Sequence, residues 1–198
     1  TAARWAGITG CSAANHKEKA SELKTFIMEE LFSDETGMFH DIWSVSDSKI
    51  RVKTFEGAVW PLVTGAASQE QAERVIDESL LNPKRFFSPH PITTVSMDEP
   101  LFELRMWRGP VWNCMTMWAA RGCMRYGRKD AAKKILEKAL DAISFQFEKT
   151  GTVWEFYNPF MGEQNAVARK PYTPYNVPCR DYLGHMPAVA MAEIWDSI

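Results

Sequence analysis

The sequence predicts an all-α fold, with its helices set in an α/α toroid rather than a compact bundle. Three observations lead there. Apolar residues recur at helical spacing in several segments. No run alternates convincingly as a strand. Two connections, 82–109 and 150–180, are each about 30 residues long and rich in aromatic side chains. Connections in a simple bundle are far shorter, and loops of that length in a compact domain are usually functional.

The elements follow in order. Asn15, with Glu18 three residues later, reads as a capping box. Ala20, Leu23, Ile27 and Leu31 continue it at helical spacing, and Gly37 ends the segment. A shorter helix precedes Trp60-Pro61. Ser68 with Gln71 opens another, with Ala72, Val75, Ile76 and Leu80 on one face and Pro83 after its end. Pro110 suits the first position of the next helix, "VWNCMTMWAARGCMRYG", which is apolar almost all round and so predicted to be buried. A further helix spans about 129–148, with Ala132, Ile135, Leu136, Ala139, Leu140, Ile143 and Phe147 inward. Pro187 starts the last one, "PAVAMAEIW". Short extended pieces fit 45–52 and 93–95. No linker divides the chain, so residues 1–198 read as one unit. The opening "TAARWAGITG" lacks Met and starts partway through an amphipathic pattern, as expected of a fragment or a processed chain.

Composition narrows the function. The 198 residues are 45% hydrophobic with a net charge of -2, ordinary for a soluble globular protein. There is no basic run to attract nucleic acid, no apolar stretch long enough to span a membrane, and no signal peptide. The four cysteines, Cys11, Cys114, Cys123 and Cys179, form no CxxC pair and have no histidine at ligand spacing. They read as buried reduced thiols, and neither metal nor cofactor is expected. His16, His40, His90 and His185 are scattered singles. With no N-x-S/T acceptor, the chain leans toward a reducing, cytoplasmic home.

Eight tryptophans are many for this length, and Trp offers flat faces to sugars as well as bulk to a core. Two loop stretches hold the unusual residues. In "MWRGPVWNCM", Trp107, Arg108 and Trp112 cluster about the Gly109-Pro110 turn. In "GTVWEFYNPFMGE", Glu155 lies among Trp154, Phe156 and Tyr157. A carboxylate is costly to bury unless paired, so Glu155 is either a satisfied structural acid or a catalytic one. Apolar walls raise such a pKa and a nearby arginine lowers it. Arg108 either braces the helix start or holds a catalytic carboxylate ionised. Asp98-Glu99 fits a turn, Asp181 fits a helix cap, and Lys170 is either solvated or substrate-facing. The residues alone point to a sugar-binding or glycosidase-like site.

"MWRGPVWNCMTMWAARGCMRYG" resembles the "YWRGPxW" helix start of glycoside hydrolase family 63, in its branch of mannosylglycerate and glucosylglycerate hydrolases. "GTVWEFYNPFMGE" resembles that group's base motif. "DETGMFHD", "GAVWPLVTGAASQEQAERV" and "TTVSMDEPLF" fall in the family's order. The resemblance covers nearly the whole chain. It implies an (α/α)6 barrel that hydrolyses α-glucosides or α-mannosides with inversion, acting on a small oligosaccharide or glycoside. It places Glu155 as the general base, Trp107, Gly109 and Trp112 at the sugar subsite, Arg108 on the motif arginine, and Lys170 at a polar position beyond the base. Trp154 and Tyr157 join the substrate-binding set. Met106 replaces the family's tyrosine, which removes a hydroxyl. No stretch matches the family's acid Asp, and about six or seven helices are legible where the barrel has twelve. The implied arrangement is the C-terminal half of the barrel, completed by an N-terminal half-barrel chain or by self-association, with little activity alone. A non-catalytic carbohydrate-binding half-toroid is the alternative.

Overall fold

A computed structural model describes residues 2–10, 12–45, 48–170, 172–173 and 175–198, with backbone alone at 43–45, 48–50 and 185. Helix α1 (Ala2–Ile8) leads to α2 (Ala14–Phe26), which widens into a π turn at Ile27–Leu31. Two short antiparallel hairpins follow. β1 (Phe32–Ser33) pairs with β2 (Met38–Phe39) about Gly37, whose φ of 69° needs no Cβ. β3 (Asp41–Val45) pairs with β4 (Ser48–Val52), Asp41 opposite Val52.

Thr54 then caps α3 (Phe55–Thr64), its hydroxyl accepting from the Gly57 N–H. Ser68 and Gln71 make both bonds of a capping box at the start of α4 (Gln69–Arg74), which continues as a π segment over Val75–Leu80. After a long irregular stretch come α5 (Asn113–Arg125) and α6 (Lys129–Thr150), the latter ended by Gly151 in the left-handed region at φ 67°. The last helix is α7 (Ala188–Asp196).

The core forms where α3, the α4 segment, α5 and α6 meet. Leu62, Val75, Ile76, Leu80, Ile135 and Leu136 are fully buried there. Ala119, Ala120 and Gly122 let α5 approach α3 closely, since a side chain at Gly122 would come within 3.0 Å of Leu62 Cβ. The packed helices form a platform, and the two long loops lie against it.

Several sequence expectations change. The chain has hairpins where an all-helical reading saw extended pieces at most, and Ser46 and Asp47 of the 45–52 piece lie outside the described residues. Asn15 and Glu18 form no capping box: α2 starts at Ala14, and Ala13, before it, makes no side-chain cap. Leu23 is exposed and no residue of α2 is buried. Pro61 lies inside α3, which runs on to Gly65. Pro110 precedes α5 by three residues because the chain first bridges at Val111 to Thr93 on one side and Tyr157 on the other, and α5 buries small and polar residues rather than its whole circumference. Phe147 is exposed. Asp181 does not cap a helix; its carboxylate accepts from the Thr152 hydroxyl at 2.6 Å.

Candidate active site

The two motif loops are stitched together by backbone hydrogen bonds. Val111 pairs antiparallel with Thr93 on one side and Tyr157 on the other. The N–H groups of Val111 and Tyr157 each donate to the other's carbonyl, at 3.0 and 2.9 Å. This small ladder fixes the register of "RGPVW" against "WEFYN". Asn158 shapes the turn beyond: its side-chain oxygen accepts from the Phe160 N–H at 2.9 Å, and its own N–H donates to Gln164 at 3.1 Å.

A second pairing brings in the chain's end. Residues 152–155 lie opposite 179–182. The Glu155 N–H donates to the Cys179 carbonyl at 2.9 Å, and the Asp181 N–H donates to the Thr152 hydroxyl at 2.9 Å. A third pairing is parallel. The Ala168 N–H donates to the Leu104 carbonyl and the Met106 N–H donates to the Ala168 carbonyl, both at 2.8 Å. The next residue, Arg169, is thereby delivered to Glu155.

Glu155 is 3% exposed. Arg169 Nε donates to its Oε2 at 2.8 Å and the Arg169 terminal nitrogen donates to Oε1 at 3.3 Å. The Cys179 backbone N–H donates to Oε2 at 3.3 Å. Burial pushes the carboxyl up, but the hydrogen bonds from Arg169 and Cys179 outweigh it and hold the pKa below the usual carboxylate range. The N–H donors fill three of the roughly four acceptor positions of a carboxylate, and the Cys179 thiol also hydrogen-bonds to it. The group is thus a well-satisfied anion.

The aromatic wall begins next to it. Phe156 packs on Trp112, centroids 5.3 Å apart, and Trp112 stacks face to face with Trp107 at 4.1 Å and 4°. Trp112 is 2% exposed and Trp107 is 40% exposed, so the stack leads from the carboxylate's neighbour out to solvent. Gly109 sits in the tight turn beneath. Its N–H donates to the Thr94 hydroxyl at 3.0 Å, and a Cβ there would collide with the Glu103 carbonyl.

The other candidates fall in different surroundings. Arg108 donates to the Leu101 carbonyl at 3.2 and 3.3 Å and pairs with Glu103 at 3.0 Å, bracing its own loop. The arginine on Glu155 is Arg169, which sequence reasoning passed over in favour of its neighbour, the exposed Lys170. Only the parallel pairing at Ala168 selects Arg169, and no sequence spacing signals it. Trp154 is buried, with its ring nitrogen on the Thr150 hydroxyl at 3.1 Å and Arg180 over its face. Tyr157 is buried against His90, and its hydroxyl accepts from the Trp154 N–H at 3.0 Å. Burial pushes that hydroxyl up to about 12 and the His90 imidazole down to about 4. His90 therefore serves as a neutral group bonded to Asn113 at 2.9 Å. Asp98 pairs with Lys53 at 2.9 Å, and Glu99 accepts from the Lys53 N–H at 3.2 Å, so this turn ties the 93–100 stretch to β4's exit. Cys114, Cys123 and Cys179 are free thiols, and Cys11 lies outside the described residues. Among the described residues, no group of three His, Cys, Asp or Glu side chains is placed to hold a metal. No helix among them is long and apolar enough to cross a membrane.

Comparison with known proteins fits this arrangement. Residues 1–177 match the model of the mannosylglycerate hydrolase MGH1-like glycoside hydrolase domain. Mannosylglycerate hydrolase MGH1 of Selaginella moellendorffii is 28% identical over 159 residues, covering 79% of this chain and 31% of that protein. The mannosylglycerate hydrolase of Thermus thermophilus is 30% identical over 139 residues, covering 69% and 31%. A crystal structure of a family 63 mannosylglycerate hydrolase from Thermus thermophilus in complex with Tris superposes with a TM-score of 0.72 at 24% identity, over 98% of this chain and 41% of that one. The fold is therefore part of the (α/α)6 toroid of these enzymes, as expected from the sequence. The chain spans about a third of the length of these curated relatives. It belongs to the mannosylglycerate hydrolase MGH1-like glycoside hydrolase domain family.

Proposed function

We propose that this chain supplies the general-base side of an inverting α-glycosidase site acting on an α-mannosyl or α-glucosyl glycoside, such as mannosylglycerate or glucosylglycerate. The observation that carries the reading is Glu155: a buried carboxylate held ionised by Arg169 and the Cys179 N–H, one residue from an aromatic stack that reaches solvent. Inverting hydrolysis needs one carboxylate to activate water and a second group to protonate the leaving oxygen, about 6.5–9.5 Å away. Glu155 takes the first role. The proton donor comes from the other half of the toroid, in a longer chain or in a partner. Trp107 and Trp112 form the wall of the sugar subsite, Gly109 and Arg108 set its turn, and Trp154 and Tyr157 back the base strand. Lys170 lies beyond Arg169 as an outer contact. Exposed apolar side chains on the first two helices (Trp5, Ile8, Leu23 and Phe26) fit a face that the rest of the toroid, or a second copy, covers.

A second reading rests on the same bonds. Arg169 engages both oxygens of Glu155, as in a satisfied structural acid, which suits a carbohydrate-binding half-toroid without catalysis. Proton NMR of the sugar first released from mannosylglycerate and glucosylglycerate by the full-length gene product separates the two. Initial release of the β-anomer is expected. Release of the α-anomer contradicts inversion, and no release from either compound contradicts the catalytic reading.

A further inference from the structure

A separate cleft opens on the back of the strand pair that carries Glu155. Trp154 bridges antiparallel to Arg180. Paired residues project from one face of such a ladder, and the next residues along project from the other. Trp154 and Arg180 therefore share a face, with the guanidinium 5.5 Å from the Trp154 ring centre. Glu155 and Cys179 share the opposite face, where the Cys179 N–H meets the carboxylate. The cleft on the Trp154 side has a volume of about 320 Å³, at the lower end of the roughly 300–1,000 Å³ common for small-molecule sites. Its walls include Trp154, Val177, Pro178, Arg180, Gln164 and Asn165.

Hydrogen-bonding capacity on these walls is mostly that of donors. The Thr150 hydroxyl is used up: it accepts from the Trp154 ring nitrogen at 3.1 Å and donates to the Gln146 carbonyl at 2.7 Å. Glu163, the acid of the lining, is paired with Lys149 at 2.6 Å. Arg180 gives one terminal nitrogen to the Thr150 carbonyl at 3.2 Å, and its other N–H groups have no hydrogen-bond partner among the described residues. Gln164 is 4% exposed. Its side-chain oxygen accepts from the Asn158 N–H at 3.1 Å, which fixes the orientation of the amide. Its side-chain nitrogen is then a buried donor without a partner among the described residues, an arrangement that is costly unless something supplies an acceptor. Asn165 adds an exposed side-chain amide. One guanidinium and two neutral amides suit a ligand of single negative charge, and the planar oxygen pair of a carboxylate fits an arginine fork. Val177 and Pro178 give that ligand an apolar wall.

We infer that this cleft binds a small organic carboxylate, with its charge on Arg180, an oxygen on the Gln164 or Asn165 amide, and its apolar body against Val177 and Pro178. The residues it touches flank Cys179, whose N–H reaches Glu155 from the other face. An occupant thus braces the strand pair from behind and leaves the Glu155 face open. The site stands on the back face of the ladder and does not depend on Glu155 being catalytic.

The test is calorimetric titration of the full-length gene product, at neutral pH and low salt, with 3-methylbutanoate, its uncharged counterpart 3-methylbutanamide, and inorganic phosphate. It includes Arg180→Gln, Asn165→Asp and Glu155→Gln, each checked for an unchanged melting profile. The carboxylate is expected to bind about tenfold tighter than either the amide or phosphate. Arg180→Gln should weaken it about tenfold, and Asn165→Asp, which adds a negative charge to an exposed wall residue, about threefold. If Arg180→Gln melts early, Asn165→Asp decides the matter. Glu155→Gln should leave the affinity unchanged, so a failure of the glycosidase reading leaves this result standing. No binding of the carboxylate at tens of millimolar, equal binding of the amide, or tighter binding of phosphate overturns the inference. So does an affinity that survives both the Arg180 and Asn165 substitutions, or one that changes in Glu155→Gln, which would put the carboxylate on the front face.

Discussion

Glu155 and Glu56 lie near opposite ends of the aromatic stack, and their surroundings treat the same side chain in opposite ways. Glu155 is buried beside an arginine and a backbone N–H, which hold its pKa down. Glu56 stands at a cleft wall with Asp41 as its charged neighbour, and its pKa is raised. A carboxylate with a built-in cation is anchored, ionised and intolerant of change. A carboxyl group bonded only locally, to its own backbone and Thr54, with another acid as its charged neighbour, costs the fold little to alter. On this account the difference separates an anchored acid fit for chemistry, at Glu155, from an acid that only borders a cleft, at Glu56.

Breaking the anchor should have the largest structural effect. Arg169→Gln leaves Glu155 buried with the Cys179 N–H and little else. Removing one partner of a buried pair costs about 3–5 kcal/mol; partial exposure of Arg169 reduces the expectation to about 2–4 kcal/mol near neutral pH. The sign with pH follows from the lowered pKa. The stabilisation is present above the unfolded carboxylate value and is lost as pH falls through the depressed folded value. The melting-temperature gap between wild type and variant should therefore shrink in acid. In the rate profile, the acidic limb of the variant should move to higher pH, because burial is then opposed only by the Cys179 hydrogen bonds. A gap independent of pH, with an unmoved limb, breaks the comparison.

A smaller effect is expected at the turn below the stack. Gly109→Ala places a methyl group against the Glu103 carbonyl and disturbs the Thr94 bond, for about 1–3 kcal/mol of destabilisation. Denaturant unfolding measures it, and a loss under about 0.5 kcal/mol would mean that the loop yields freely. The smallest effect belongs to Glu56→Gln. A raised folded pKa makes ionised Glu56 mildly unfavourable to folding at neutral pH, so its removal should change stability by no more than about 0.5 kcal/mol, toward greater stability. A clear loss would assign Glu56 a structural role and remove the contrast.

How much of this was legible in the sequence follows from which forces were local. The helices from 55 to 80 and 113 to 150 were readable because periodicity, caps and terminating glycines are written in neighbouring residues. The pair of motif loops was readable because aromatic clusters about Gly and Pro are unusual. The Asn15 cap failed because α2 starts two residues earlier than that cap implies, with Ala13 before it and Asn15 already inside the helix. Arg169 was unreadable for a different reason. Its role depends on Ala168 pairing with Leu104 and Met106, more than 60 residues away, and no local pattern encodes that. The Asp41–Glu56 cleft likewise exists only once a hairpin and a helix start face the tip of another loop.

The central claim is that Glu155 accepts the proton from the attacking water. Glu155→Gln keeps the shape and cannot do so. The measurement is the catalytic rate of this variant in the full-length gene product, taken beside its melting temperature. General-base assistance is worth about 10²–10⁴-fold, so the rate should fall by at least that lower factor while binding of methyl α-D-glucopyranoside persists. A rate within about tenfold of wild type, whatever the melting temperature, contradicts the account and leaves Glu155 a structural acid behind a sugar-binding wall.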